Sequence, residues 1–462
     1  MTDIATALPA AVAEERPADH RTRRLLEAPI LPLLIRLAWP NVLIMIAQAS
    51  TGLIETWWVA KLGTDALAAM ALVFPAVMLM TTISAGALGG AISSAVARAL
   101  GARRQDEANA LVLQAVVINV AFGLAFSALF LLAGRPIYHL LGGTGPDLEA
   151  ALIYSNVVFA GNVFTWLMNG LASVIRGTGN MLYPAIVTCV GVAFLVPVSP
   201  VLIFGWGPVP ALGIAGGGVA LVAFYLLGAL AMAWHIWAGR NPVRFQWARL
   251  RWRPMASILR IGALSSFNSI QTNVIIAGAT ALVAAYAGMD AVAGFGTGVR
   301  LEYLLIPLVF GIGAPMVAMV GTNMGAGQPG RALKVALAGA GLAFAVTEAI
   351  GLGAAFFPDV WLNLFSAEPG MIAAGSAYLR LVGPFYGFFG LGLALYFASQ
   401  GAGRLLWPLV AGALRVLIAL GGGWVALSLG APLSALFVAL GLALLVYGAT
   451  IFTAVRSGLW LR

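Results

Sequence analysis

Three carboxylic acids, Glu55, Glu302 and Glu348, stand inside stretches that are otherwise almost wholly apolar. A charge at the centre of a bilayer costs about 2.5–3.5 kcal/mol on insertion scales, so an acid kept there serves an ion path, a proton or a partner. Glu302 and Glu348 share the C-terminal half with Arg300, Arg380 and Arg415, and the five predict a network of ion pairs. Arg300 and Glu302, two residues apart, diverge by about 200° on a helix and need partners on other helices. Glu55 has no such base in its own half, and a lone carboxyl is best tolerated when it can take up a proton. It follows Gln48 by seven residues, two turns along one helix face, with Ser50, Thr51 and Thr56 nearby, so a wet stripe is expected. Pro40, upstream on the same run, removes a backbone hydrogen bond and is the expected hinge.

A second polar stretch holds Ser265, Ser266, Asn268, Ser269, Gln271, Thr272 and Asn273, of which 265, 268, 269 and 272 share a helix face. Such groups either line a cavity or bond helix to helix, and the cavity is the expectation. Trp57, Trp58, Trp166, Phe385 and Tyr386 offer apolar walls for a flat cationic solute. The expected substrate cavity comprises Trp58, Tyr154, Asn162, Asn268, Gln271, Thr272 and Tyr386.

Other chemistry is not expected. His20, His139 and His235 have no partner at metal-ligand spacing, and there is no His-Glu-x-x-His, no phosphate-binding Walker loop and no carboxylate pair for hydrolysis. An enzyme, a metal site and a cofactor are therefore not expected. The single cysteine, Cys189, excludes an intrachain disulfide framework. Glycine triplets at 216–218 and 421–423 lie in apolar runs, where close helix packing is the usual reason.

The elements that position these residues follow from composition. With 61% hydrophobic and 9% charged residues and a mean hydropathy of +0.97, the solvent must be a bilayer. Runs long enough to cross about 30 Å of hydrocarbon as helices lie at about 33–60, 66–98, 106–133, 147–172, 181–205 and 213–239, then 257–285, 291–320, 330–357, 371–397, 404–428 and 431–455. The prediction is an all-α membrane protein of twelve spans, since apolarity on every side excludes barrel strands. With the N-terminus inside, arginines fall almost entirely in the cytoplasmic segments, against Lys61 and Arg135 in the outer loops. This accounts for the net charge of +9 through the anionic inner leaflet, and no nucleic-acid partner is expected. Residues 1–32 read as a cytoplasmic tail, 33–239 as an N-terminal lobe, 240–256 as a basic linker, 257–455 as a C-terminal lobe and 456–462 as a cytoplasmic end.

The two halves repeat. Arg176-Gly-Thr-Gly-Asn-Met-Leu-Tyr-Pro184 answers to Gln400-Gly-Ala-Gly-Arg-Leu-Leu-Trp-Pro408 at an offset of 224 residues. The same offset relates Gly101-Ala102 to Gly325-Ala326 and Tyr154 to Tyr378, and Gly63-Thr-Asp-Ala answers to Gly288-Met-Asp-Ala with one residue of slip. A period of this length suits the two halves of a transporter.

Pro40, Gln48 and Glu55-Thr56, Gly101-Ala102, Arg176-Gly-Thr-Gly179, Leu202-Ile-Phe-Gly205, Gly321-Thr-Asn-Met-Gly-Ala-Gly327 with Arg331-Ala332, and Gly401-Ala-Gly-Arg404 together resemble the multidrug and toxic compound extrusion family over residues 30–455. The resemblance implies two six-helix lobes in a V around a central cavity, related by an axis along the membrane normal, and cation-coupled export by alternating access. It also implies an N-lobe cation site at Glu55 joined by polar residues of helices 5 and 6. Those positions hold Leu195, Ser199 and Leu221 here, and the stretches around Thr272 and Tyr386 lack the acids of some members. Sodium wants several hard oxygen ligands, whereas a proton needs one carboxyl, so Glu55, Gln48 and Ser199 are the expected proton-coupling site.

The expected activity is secondary active antiport of amphipathic, often cationic organic compounds against protons. The bacterial inner membrane is the expected location, with both termini cytoplasmic and the chain a monomer. The alternatives are a flippase for a lipid-linked saccharide, which would want a strongly cationic cavity, and sodium-coupled efflux on the same fold.

Overall fold

Twelve apolar runs need reversals between them, and the chain makes these with residues that cannot continue a helix. The computed structural model describes residues 17–461 except Ala248. Ten helices are long and apolar enough to cross a bilayer, and the pair Gly145–Ala160 and Asn162–Gly177, bent by 47° at Gly161, adds an eleventh span. Trp252–Gly325 runs for 74 residues, about 110 Å at the helical rise and far more than one bilayer. It breaks at Gly288 (φ 80°, ψ −177°), a left-handed conformation natural only to glycine, so it holds two spans and the total among the described residues is twelve. Its counterpart in the repeat, Gly63, ends the first span at φ 118°.

The first span is Ile30–Ala60 and runs through Pro40 without interruption. The second, Thr64–Gly101, contains a π-helical segment, Thr82–Leu88. Gln105–Leu140, the bent pair, Leu182–Phe204 and Ile214–Trp237 complete the N-lobe. In the C-lobe, residues 252–287 and 289–325 are followed by Pro329–Phe356, Pro369–Ala402, Leu406–Ser428 and Leu433–Arg456. The tenth span, Pro369–Ala402, is interrupted by a 3-10 turn at Gly383–Phe385, near the position equivalent to the Gly161 bend.

Two boundaries differ from the sequence expectation. Within the supposed N-terminal tail, Pro17–Glu27 is a helix whose Leu25 packs on the Gly179 turn, while residues 1–16 lie outside the described residues. The seventh span begins at Trp252, inside the expected linker, and the preceding segment is tied to the third span by Gln105 Nε2 to the Pro242 carbonyl (2.9 Å) and Arg244 N–H to Asn109 Oδ1 (3.0 Å).

The lobes meet at the end that carries the arginine-rich segments. There Gly101 lies against the backbone of Thr322, and Gly325 lies against the backbone of Arg98. Positions 98 and 322, like 101 and 325, are 224 apart, so this is one contact made twice across a pseudo-twofold axis. Absence of a Cβ lets the backbones touch. Ser94 Oγ donates across the interface to the carbonyls of Gln400 (2.7 Å) and Gly401 (2.9 Å), and Arg98 donates to Ser94 and to Gly401 O (3.1 Å). Asn323 Nδ2 donates to Leu25 O (3.2 Å) and Arg331 to Ala28 O, so the N-terminal segment is tied to the C-lobe as well.

Candidate functional site

Glu55 points into the N-lobe, where it is 7% exposed. The sixth span makes room for it: a Cβ built on Gly217 would lie 3.4 Å from Glu55 Oε2, 3.7 Å from Ile203 and 3.9 Å from the Tyr154 ring. Ser199, fully buried on the fifth span, lies beside the carboxylate, and its Oγ has no hydrogen-bond partner. Leu195 is buried. Four spans therefore meet around one acid that has a hydroxyl and a phenol for polar company, and among the described residues no ion pair is formed by Glu55. Gln48 does not join this group. It is exposed, two turns or about 10 Å along the helix from a buried Glu55, so the face shared by spacing is buried at one end and exposed at the other.

Gly217, read from sequence as packing, borders the carboxyl. Arg36 and Arg260 also lie inside helices, but both are exposed, and Arg36 is 19 residues or about 28 Å along the helix from Glu55.

The aromatic residues near this site are spent on one another. Trp58 meets Phe204 edge-on at 6.1 Å and Trp57 at 4.4 Å, and Lys61 Nζ lies 3.6 Å from the centre of the Trp57 ring and 4.8 Å from that of Trp58. Asn162 is buried in the N-lobe core, donating to Gly123 O (3.0 Å) across the fourth-span bend, and Trp166 stacks with Phe122. Neither is placed to line a cleft between lobes.

The seventh span corrects the cavity expectation more sharply. Its buried stripe is Ser265, Asn268, Gln271, Ile275 and Ala279, which faces the C-lobe interior. Ser265 accepts from Gln400 Nε2 (2.9 Å), Gln271 packs on Gly412, and Thr272 Oγ1 turns back to its own helix at Asn268 O (3.5 Å). Ser265 thus bonds to another helix and Thr272 to its own, and the stripe continues with Ile275 and Ala279 into the packed core. Tyr386 is likewise wholly buried inside the C-lobe.

The five-charge network contracts to one pair. Arg415 Nη2 donates to Glu302 Oε1 (2.8 Å), Tyr378 OH donates to Oε2 (2.9 Å), and the guanidinium lies over Phe389 (5.0 Å) and Tyr447 (5.5 Å). Glu348 is half-buried and accepts the Gly387 backbone N–H (2.7 Å). Arg380 is exposed, and Arg300 is exposed beside Phe365 (5.6 Å). Tyr378 was the missed residue, and the repeat carried its signal: Tyr154 beside Glu55 and Tyr378 on Glu302 are equivalent positions, 224 apart. Each lobe sets that tyrosine against its own buried acid.

Two repeated six-helix lobes, joined at one end and each holding a buried acid, define a membrane transporter. The MatE family model matches residues 40–201 and 265–425, both halves of the repeat, and the chain belongs to this family of multidrug and toxic compound extrusion transporters. It is 30% identical over 436 residues to a probable multidrug resistance protein NorM of Deinococcus radiodurans, covering 87% of this chain and 88% of that protein. It is 28% identical over 380 residues to a FAD transporter of Shewanella oneidensis, covering 81% and 82%. Among solved structures, a MATE transporter in the bent conformation superposes with a TM-score of 0.86 at 22% identity, covering 95% of this chain and 97% of that one. The outward-facing conformation of a multidrug resistance MATE family transporter superposes with a TM-score of 0.83 at 22% identity, covering 94% and 97%; both likenesses speak to the fold.

Proposed function

We propose that the chain is a proton-coupled antiporter that exports amphipathic, often cationic organic compounds by alternating access. The observation that carries this reading is Glu55, a buried carboxyl without an ion pair, near Ser199, Tyr154 and Gly217. A proton can neutralise it alone, whereas sodium would need more hard oxygens than this surround offers. The arginine-rich end is cytoplasmic by the positive-inside rule, with both termini there, so the arrangement described is closed at its cytoplasmic end. On this reading the protein is a monomer in a bacterial inner membrane.

The coupling works through differential affinity: protonation from the outer side favours one lobe arrangement and cargo binding the other. The energies are of matching size. Each bond that Ser94 makes across the closed end is worth about 0.5–1.5 kcal/mol net, and the charged one from Arg98 about 1.5–3 kcal/mol. A unit charge crossing the membrane gains about 2.3 kcal/mol per 100 mV. A few such bonds form a seal that one coupled ion can tip.

The test is uptake of a fluorescent cation into proteoliposomes, with pH and sodium gradients imposed separately. Transport driven by the pH gradient alone, and lost in Glu55→Gln, is the expected result; sodium-driven transport at constant pH would refute proton coupling. A second reading, export of a flavin dinucleotide, is supported by the Shewanella relative, and the same vesicles loaded with FAD test it. The flippase alternative asks for a strongly basic cleft lining, whereas Arg98 is spent on Ser94 and Gly401 and Arg176 brings a single charge.

A further inference from the structure

Just above the inter-lobe seal lies a crevice lined by Gly86, Gly89, Gly90, Ser93 and Arg176 of the N-lobe and by Phe310, Ala314, Val317, Phe397 and Gln400 of the C-lobe. Arg176 is 9% exposed, and the hydrogen bond it makes is with its neighbour Ser173 (Nη2 to Oγ, 2.9 Å). Among the described residues no carboxylate bridges it. A guanidinium has five N–H donors, and burying it without a counter-charge costs several kcal/mol. Sealing the lobes does not account for it, since Ser94 and Arg98 perform that task while Arg176 makes no bond to the C-lobe. Ser93, 4% exposed on the same wall, has an Oγ with no partner. Gln400 spends its amide nitrogen on Ser265 and on the Gly86 and Ala87 carbonyls of the π-helical segment, leaving Oε1 unpartnered. The opposite wall is Phe310 and Phe397, edge to face at 5.5 Å.

We propose that Arg176 and Ser93 form a receiving site for an anionic group, a phosphate or carboxylate carried on an aromatic body that rests against Phe310 and Phe397, at the base of the transport cleft. Arg176 supplies a fork of charge-assisted donors and Ser93 a further hydroxyl, while Gln400 Oε1 accepts from a hydroxyl beside the anion. The crevice as it stands has room for about one water. Its two walls belong to different lobes, so it widens when they part. The site assigns part of the cargo range to zwitterions and anions, which the lone acid at Glu55 would not select.

This rests on the export reading only in taking the cleft as the cargo path, so the test measures binding without transport. Fluorescence titration of the purified full-length protein in detergent would compare 4-methylumbelliferyl phosphate with 4-methylumbelliferone, the same ring without the anion. We expect the phosphate ester to bind more tightly than umbelliferone, to weaken about tenfold or more in Arg176→Gln, and to be partly retained in Arg176→Lys, with umbelliferone unchanged throughout. Ser93→Ala, a smaller change for which folding is secure, is expected to weaken the ester about threefold and decides the matter should Arg176→Gln not fold. Inorganic phosphate should compete weakly, since it lacks the ring. Equal binding of both probes by the unmodified protein, an ester affinity indifferent to both Arg176→Gln and Ser93→Ala, or inorganic phosphate competing as well as the ester would overturn the proposal. Loss of proton-driven transport with these binding results intact would count against the export reading alone.

Discussion

Removing the Glu302 carboxylate should destabilise the protein far more than removing that of Glu348, although the two look alike in sequence. Glu302 is held by Arg415 and Tyr378, and both ends of the ion pair are buried, with side chains 9% and 5% exposed. In Glu302→Ala the guanidinium stays buried over Phe389 and Tyr447 with no counter-charge, and breaking such a pair costs about 3–5 kcal/mol. Tyr378 also loses its acceptor, which adds about 1 kcal/mol or more. Glu348→Ala loses one bond from the Gly387 N–H at a half-buried site, about 0.5–1.5 kcal/mol. Thermal unfolding in detergent, followed for both variants and for Glu302→Gln with Arg415→Met, separates the cases. The double variant should recover most of the loss, because it removes the uncompensated charge along with its partner. Equal midpoints for Glu302→Ala and Glu348→Ala, or a double variant no better than Glu302→Ala, would refute the assignment of the pair.

Gly217→Val should cut proton-driven transport while leaving the protein inserted, since its side chain enters the space beside Glu55 Oε2; unchanged transport would show that the space is not used. Gly101→Leu and Gly325→Leu should each prevent closure of the arginine-bearing end, because either side chain meets backbone of the other lobe. Thiol labelling of a cysteine placed at the seal, in a background lacking Cys189, should therefore rise in both and to a similar degree; protection as in the parent would contradict the paired contact. Leu195→Asn with Ser199→Asp should add oxygens around Glu55 and introduce sodium sensitivity, read as sodium-dependent uptake at constant pH. Arg300→Ala and Arg380→Ala should shift the melting midpoint little, since both side chains are exposed.

Composition and period are properties of the chain alone, and they determined the bilayer, the all-helical class, the twelve spans and the two-lobe repeat. A residue sequence that is apolar on every side admits no other spanning element, and an offset of 224 shared by glycines and aromatics marks equivalent places in two lobes. Glu55 was legible for the same reason, as an acid within an apolar run. Which way a polar stripe turns was not legible. Ser265, Asn268 and Gln271 would look the same lining a cleft or crossing a lobe interior, and the packing of Gln400 and Gly412 against them decided for the interior. Charge pairing was equally hidden: Arg415 lies 113 residues from Glu302, while the nearer Arg300 is turned to the surface. Spacing along a helix states which residues share a face, but only the other helices decide what that face meets, since burial and bonding are set by neighbours distant in sequence.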